Sequence, residues 1–337
     1  MNQSFESQLK SLGSYRGGIL AASMVGLSAM FLSDHYGAPS MLMALLLGLA
    51  LNFLYEDTVA KPGIEFSART ILRMGVALLG LRVSWQLLSD LGLQSVTVVV
   101  AGMLLTILFG VALSRLIGRG LNFGILTGGS VAICGASAAM AIAAILPRND
   151  QSNQNLTFTV VSVTLLSTLA MIFYPMVAEL LIMDTTEAGL FLGGTIHDVA
   201  QVVGAGYSMS DETGDVSTVV KLLRVSCLAP IVVFLTIFVR WSKKTGEEGQ
   251  AKTPVLPFFV IGFLALALVN SLVPLPDFVI TLFTEISRFF LLIAIAAVGM
   301  KTSLGQIRDV GGQAILLVVA ETAFLALLIL SYILWAA

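Results

Sequence analysis

Two short stretches pair glycines with a hydroxyl and then with reactive side chains. Gly128-Gly129-Ser130 is followed by Cys134, Gly135 and Ser137, and Gly193-Gly194-Thr195 by His197, Asp198 and Gln201. Both lie in apolar runs, where paired glycines weaken a helix. In lipid an opened backbone persists only where it lines protein or a water-filled cavity. A helix broken there offers free N–H groups and the positive end of its dipole to an anion. The plainer reading is that small residues let helices pack closely. The likeness of 124–130 to 189–195 favours the break.

Ionisable residues inside a membrane are costly and usually functional. Arg73, Arg82, Lys221, Arg224 and Arg288 fall within apolar runs, against Asp198, Glu285 and Glu321, with Glu179 near an end. This cationic excess suits an anion path. Lys221 and Arg224, three residues apart, share a helix face, and Asp198 in the preceding run is their candidate counter-ion. Glu285 and Arg288 have the same spacing and are expected to pair with each other. Arg73 and Arg82 either snorkel or line a cavity, and Glu321, with no obvious partner, is a candidate for protonation. His197-Asp198 has three readings. It is a proton relay, since His titrates near neutrality; or a structural pair with Asp198 neutralising Lys221 or Arg224; or, with Cys134, a thiol triad. Adjacent residues on one helix point in different directions, which speaks against the triad. The expected substrate-binding set is Gly128, Gly129, Ser130, Cys134, Ser137, Gly194, Thr195, Gln201, Lys221 and Arg224, with His197 and Asp198 as coupling residues. No catalytic residue, cofactor or metal site is expected.

The elements that hold these residues follow from composition. Of 337 residues 57% are apolar and 11% charged, with mean hydropathy +0.95, where a soluble domain carries about 25% charged residues. The chain reads as an all-α polytopic membrane protein. The net charge of −2 points to no partner, nucleic acid included, and Cys134 and Cys227, both in apolar runs, give no disulfide framework. The polar start, 1–15, lacks the pattern of a cleaved signal. Spans of about 20 apolar residues are expected at 17–33, 38–55, 67–88, 93–117, 122–146, 155–183, 187–207, 216–239, 255–272, 277–300 and 310–335. With the N-terminus in the cytoplasm, these eleven spans place Lys10, Arg16, Lys61, Arg69, Arg115, Arg119, Arg240, Lys243, Lys244, Lys252, Lys301 and Arg308 inside. Arg148 and the acidic loop of Asp211, Glu212 and Asp215 fall outside, as does the C-terminus.

An internal repeat is visible when 69–92 is set against 288–311. Arg69 meets Arg288, Gly80 meets Gly299, Arg82 meets Lys301, Ser84 meets Ser303, Asp90 meets Asp309 and Gly92 meets Gly311. The copies cross in opposite directions, as in inverted-repeat transporters with discontinuous helices. The expected division is an N-terminal segment and first helix over 1–37, a first repeat over 38–183 and a second over 187–337, all in one transmembrane domain. The two glycine motifs conflict with it. They run in the same direction under eleven spans, so either one of them is re-entrant or one likeness is convergent.

Three segments carry a family resemblance: Gly-Gly-Ser-Val-Ala-Ile-Cys-Gly-Ala-Ser-Ala-Ala at 128–139, Gly-Thr-Ile-His-Asp-Val-Ala-Gln-Val-Val-Gly-Ala-Gly at 194–206, and Val-Val-Lys-Leu-Leu-Arg-Val at 219–225. Over essentially its whole length the chain resembles the YeiH-type family of proposed sulfate exporters. The resemblance implies a bacterial inner-membrane protein with a fold related to the bile acid/sodium symporter and cation/proton antiporter group. The expected function is secondary transport of a small anion, sulfate or a related sulfur oxyanion or sulfonate, in the export direction if the family name holds. Coupling would be to H+ or Na+; the lipid bilayer surrounds the chain, and a homodimer is compatible. The alternatives are a cation/proton antiporter and, more remotely, an intramembrane thiol hydrolase.

Overall fold

In the computed structural model, residues 2–36, 38–56, 58–82, 85–147, 151–242, 258–273, 275–302 and 312–336 are described. Ser84, Ser303, Asp309 and Gly311 of the repeat alignment lie outside them, as do Arg148, Lys243, Lys244, Lys252 and Arg308. Every regular element among the described residues is helical. In order they form α1 (Asn2–Tyr36), α2 (Ser40–Ala50), α3 (Lys61–Phe66), α4 (Leu72–Leu78), α5 (Trp85–Leu116), α6 (Leu121–Ala132), α7 (Ala136–Ile145), α8 (Ser152–Leu180), α9 (Thr185–Thr195) and α10 (Val199–Met209). Then follow α11 (Asp211–Ser226), α12 (Leu228–Ser242), α13 (Phe258–Leu272), α14 (Asp277–Lys301) and α15 (Gly312–Ala336). A π-helical turn, Ser67–Ile71, joins α3 to α4, and a tighter turn, Leu79–Arg82, follows.

Among the described residues six stretches are long and apolar enough to cross a membrane: Ser14–Tyr36, Gly92–Leu116, Gln154–Leu180, Asp211–Leu235, Phe278–Lys301 and Gln313–Trp335. The remaining expected spans are built from shorter pieces. At 1.5 Å per residue the 11 residues of α2 reach only about 16 Å, against the ~30 Å of a hydrocarbon core.

The chain divides into two compact units. The first comprises Met1–Leu88, Val203–Asp211 and Phe258–Leu304. Its helices approach through glycine. A Cβ on Gly48 of α2 would collide with Ala296 O of α14, and one on Gly299 with Leu45 O; Gly80 meets Phe263 O of α13 in the same way. The aligned glycines Gly80 and Gly299 thus do the same job against different partners. Asn52 Nδ2 donates to Met300 O at 2.7 Å and Ser287 Oγ to Gly75 O at 2.7 Å, fixing α14 to its neighbours. Arg82 pairs with Asp211 at 3.4 Å and lies over the Tyr207 ring. Glu285 and Arg288 do not pair with each other; both line a recess with Arg82, Asp211, Tyr207 and Thr284.

The second unit comprises Ser89–Val202, Glu212–Pro257 and Gly305–Ala337. Here the expected span 122–146 is two arms lying side by side. α6 and α7 pack along one another, and a Cβ on Gly129 would run into Ile142 Cδ1. A continuous helix would separate those two residues by about 19 Å. The turn between the arms needs Gly135, whose φ of +60 is a conformation that glycine adopts at little cost. The span 187–207 also folds back. Gly189 lies against Val216, Gly193 against Ser217 and Val220, and Ile196 O accepts from Lys221 and Arg224, so α9 and α11 run parallel. The chain between them, α10, returns toward the level at which α9 begins.

Candidate functional site

α8 supplies the scale. Its 29 residues span about 43 Å. Phe123, near the start of α6, stacks on Phe158 near the start of α8, with centroids 6.0 Å apart. Phe191 of α9 packs at a tilt on Tyr174, near the end of α8, with centroids 5.1 Å apart. The two hairpins therefore enter from opposite ends of α8. Each entry is built locally. Ser114 Oγ donates to Gly120 O at 2.8 Å, tying the end of α5 to the start of α6. Asp184 accepts from the backbone N–H of Thr186 and Glu187 at 2.8 Å each while Glu187 accepts from the Asp184 N–H at 3.0 Å, a capping box that starts α9.

The hairpin tips meet halfway. A Cβ on Gly135 would stand 3.6 Å from His197 Cβ. Ser167 Oγ accepts from the Asp198 N–H at 3.0 Å, and Gln201 Nε2 donates to Thr168 Oγ1 at 3.4 Å, both at the middle of α8. A helix end leaves its last carbonyls without partners, and α6 and α9 both end here, buried. Lys221 and Arg224, each 0% exposed, fill that need. Lys221 Nζ donates to Ile133 O at 2.8 Å and Ile196 O at 2.9 Å. Arg224 donates to Ala132 O (2.9 Å), Val131 O (2.9 Å), Gly193 O (3.1 Å) and Ile196 O (3.0 Å). Two side chains one helical turn apart thus clamp both tips.

Of the expected site residues, Cys134, His197, Asp198, Lys221 and Arg224 come together at the tips. Ser137 is exposed in the first turn of α7, and Gln201 is buried in the first turn of α10. Gly128, Gly129 and Gly194 do not open the backbone. They stay helical, and the breaks fall a few residues later, at Ile133–Gly135 and Ile196–Asp198. Their role here is packing: Gly128 approaches Ile107 on α5, Gly129 Ile142, and Gly194 Ile329 on α15. Ser130 and Thr195 donate to Leu126 O and Phe191 O of their own helices.

Two further residues complete the centre. His197 Nε2 lies 2.9 Å from Thr322 Oγ1, and Thr127 Oγ1 lies 2.7 Å from Glu321 Oε1. Neighbouring residues of α15 therefore reach one hairpin each. Thr322, Ser167 and Thr168 were not among the expected residues; their signal was a polar pair at the centre of a span, Glu321-Thr322 in α15 and Ser167-Thr168 in α8.

The family of conserved hypothetical protein 698 matches residues 17–318. Among curated relatives, the chain is 58% identical over 313 residues to the UPF0324 membrane protein TauZ of Paracoccus pantotrophus, covering 93% of each chain. It is 53% identical over 320 residues to a UPF0324 membrane protein of Rhizobium meliloti, covering 95% of this chain and 93% of the other. A UPF0324 membrane protein of Bordetella pertussis is 37% identical over 301 residues, 87% of this chain and 85% of that one. No solved structure matches.

Proposed function

The chain belongs to the family of conserved hypothetical protein 698, the UPF0324 membrane proteins, and we propose that it is a secondary transporter of a small anion working by alternating access. The chain is a multi-pass membrane protein. The observation that carries the reading is the meeting of the two hairpin tips around Lys221 and Arg224. Two helix C-termini together carry about one negative charge, whereas the two side chains bring two positive ones. The first turns of α7 and α10 open at the same place, and initial N–H groups of a helix lack intrahelical partners. Excess positive charge and open N–H groups recognise an oxyanion: sulfate, a related sulfur oxyanion or a sulfonate. Ser137, Gln201 and Cys134 flank that position, and Asp198, half-buried beside the second break, balances the charge while the anion is away. His197 and Asp198 tie the second hairpin to the coupling step, His197 reaching α15 at Thr322. The rival reading, a cation/proton antiporter, draws on the fact that the two cations already bond carbonyls. Uptake of labelled sulfate into proteoliposomes, competed by sulfite, thiosulfate, an alkylsulfonate and small carboxylates, separates the two. Anion uptake supports the transporter of anions, and sodium–proton exchange without it supports the rival.

The hairpins also reconcile the repeats. Reading both as re-entrant gives nine full crossings, so that α6 and α9 enter from opposite sides and their motif likeness becomes inverted. The second repeat still occupies 187–337, but its order is permuted: α13, α14 and α15 match α2, the α3–α4 span and α5, while α9 matches α6 and α11 matches α8. Two pairs of glycine contacts support the swap. Gly80 meets α13 where Gly299 meets α2, and Gly128 meets α5 where Gly194 meets α15. Under this count Arg148 joins the other cytoplasmic cations and the acids Asp184 and Glu187 face outside, which sharpens the charge partition. Single cysteines at Gln151, Thr186 and Glu212, in a background lacking Cys134 and Cys227, test it. An impermeant thiol reagent on intact cells should label 186 and 212 and spare 151. Labelling at 151 without 186 would restore eleven crossings.

A further inference from the structure

We propose that Glu321 is the proton-carrying carboxyl of this transporter, a reading that rests on the anion-transport function and adds to it the group that takes up the coupling proton. Glu321 is 0% exposed and sits at the middle of α15. Among the described residues its Oε1 has one partner, the Thr127 hydroxyl at 2.7 Å, and its Oε2 has none.

A buried carboxylate ordinarily keeps its charge only beside a cation or several hydrogen-bond donors. The elements packed around Glu321 offer neither. α6 carries Thr127 and no titratable residue. α5 approaches through Gly110, where a Cβ would collide with Oε1, and its Arg115 lies exposed in the last turn. α8 brings Tyr174, packed against Phe191, and Glu179, exposed near its end. α9 brings Glu187, engaged in its capping box. His197, at the break beside Asp198, reaches α15 one residue further on, at Thr322.

Hydrogen-bond accounting points the same way. Thr127 Oγ1 has one proton and two oxygen neighbours, Glu321 Oε1 at 2.7 Å and Phe123 O at 3.1 Å. A neutral Glu321 donates its O–H to Thr127 Oγ1, which then donates to Phe123 O, and every proton has an acceptor. One proton binds and one carboxylate charge disappears, with no further co-reactant. A sodium ion is less suited, because hard cations ask for about six oxygen ligands and the one side-chain oxygen bonded to the carboxyl among the described residues is Thr127 Oγ1. Among the described residues no group of three or more His, Cys, Asp or Glu side chains surrounds the site.

Protonation also has a route to the anion site. Glu321 touches the first hairpin through Thr127, and Thr322 touches the second through His197. Loss of the proton places a bare charge between α5, α6 and α15, and the hairpins must then open to hydrate it. Proton and anion occupancy are linked through this packing.

The test uses the full chain. Infrared difference spectra of purified wild-type protein should show the carbonyl stretch of a dry protonated carboxylic acid, absent from Glu321→Gln. In proteoliposomes holding a pH-sensitive dye, sulfate and an alkylsulfonate serve as probes. Vesicles holding the wild type should acidify inside as the anion enters with protons, and Glu321→Gln should lose that signal while still showing anion-induced thermal stabilisation. Thr127→Val, which removes the hydrogen-bond partner but not the carboxyl, should shift the carbonyl band without erasing it. An identical band in wild type and Glu321→Gln, or undiminished proton uptake by that variant, overturns the assignment. Absence of any anion response in the wild type counts instead against the transport function, and leaves the infrared result to judge Glu321 by itself.

Discussion

Arg224→Ala should scarcely accumulate as folded protein. The guanidinium donates to four carbonyls drawn from the ends of α6 and α9, and no water can replace it at 0% exposure. Removing one member of a buried charged network costs about 3–5 kcal/mol, and each abandoned buried acceptor about 1–3 kcal/mol. A typical folded domain has only about 5–15 kcal/mol to lose. Arg224→Lys keeps the charge but cannot span four carbonyls with one ammonium, so it should fall between. Yield and unfolding temperature after detergent extraction are the readouts. An Arg224→Ala protein that melts with the wild type would show that the tips hold together without the clamp.

The neighbouring glycines Gly193 and Gly194 should behave in opposite ways when each is changed to Ala. A methyl on Gly193 runs into the backbone oxygen of Ser217 and lies 2.8 Å from Val220 Cβ, so α9 and α11 must separate and Arg224 loses its register. Overpacking of this kind costs about 1–3 kcal/mol, and backbone on backbone leaves little room to relax. A methyl on Gly194 instead meets Ile329 side-chain atoms at 3.6 Å, an ordinary contact, and alanine is the better helix former by about 1 kcal/mol. Gly193→Ala should therefore lower the unfolding temperature sharply, and Gly194→Ala should leave it level or raise it. Equal effects at both positions would contradict the parallel packing of α9 against α11.

The residues of the centre were legible in the sequence because polar side chains stand out in apolar runs. Lys221, Arg224, His197 and Asp198 could be named, and the spacing of three put the two cations on one face. Their partners could not be read, because the acceptors are backbone carbonyls and any residue supplies one. The hairpins were hidden for a related reason: two half-helices that fold back have the same hydropathy as one that crosses. The motif likeness of 124–130 to 189–195 held the clue, since it made sense only if one arm ran the other way. The glycine pairs misplaced the break by a few residues, as a glycine that admits a neighbouring helix looks the same as one that ends its own. The expected pairing of Glu285 with Arg288 failed because both side chains turn toward the recess that also holds Arg82 and Asp211.

Ser137 offers the most direct test of anion binding at the meeting tips. It is exposed in the first turn of α7, where an acidic side chain favours the helix by about 0.3–1 kcal/mol. Ser137→Asp should therefore fold as well as the wild type, yet it places a fixed carboxylate where the anion binds. The measurement is the unfolding temperature of both purified proteins against sulfate, thiosulfate and an alkylsulfonate, with chloride at matched ionic strength as reference. A ligand that binds only the folded state raises stability by RT ln(1 + [L]/Kd). The wild type should be stabilised by at least one of these anions, and Ser137→Asp, at the same starting temperature, by none. A Ser137→Asp protein that keeps the full anion-induced shift would contradict binding at the tips.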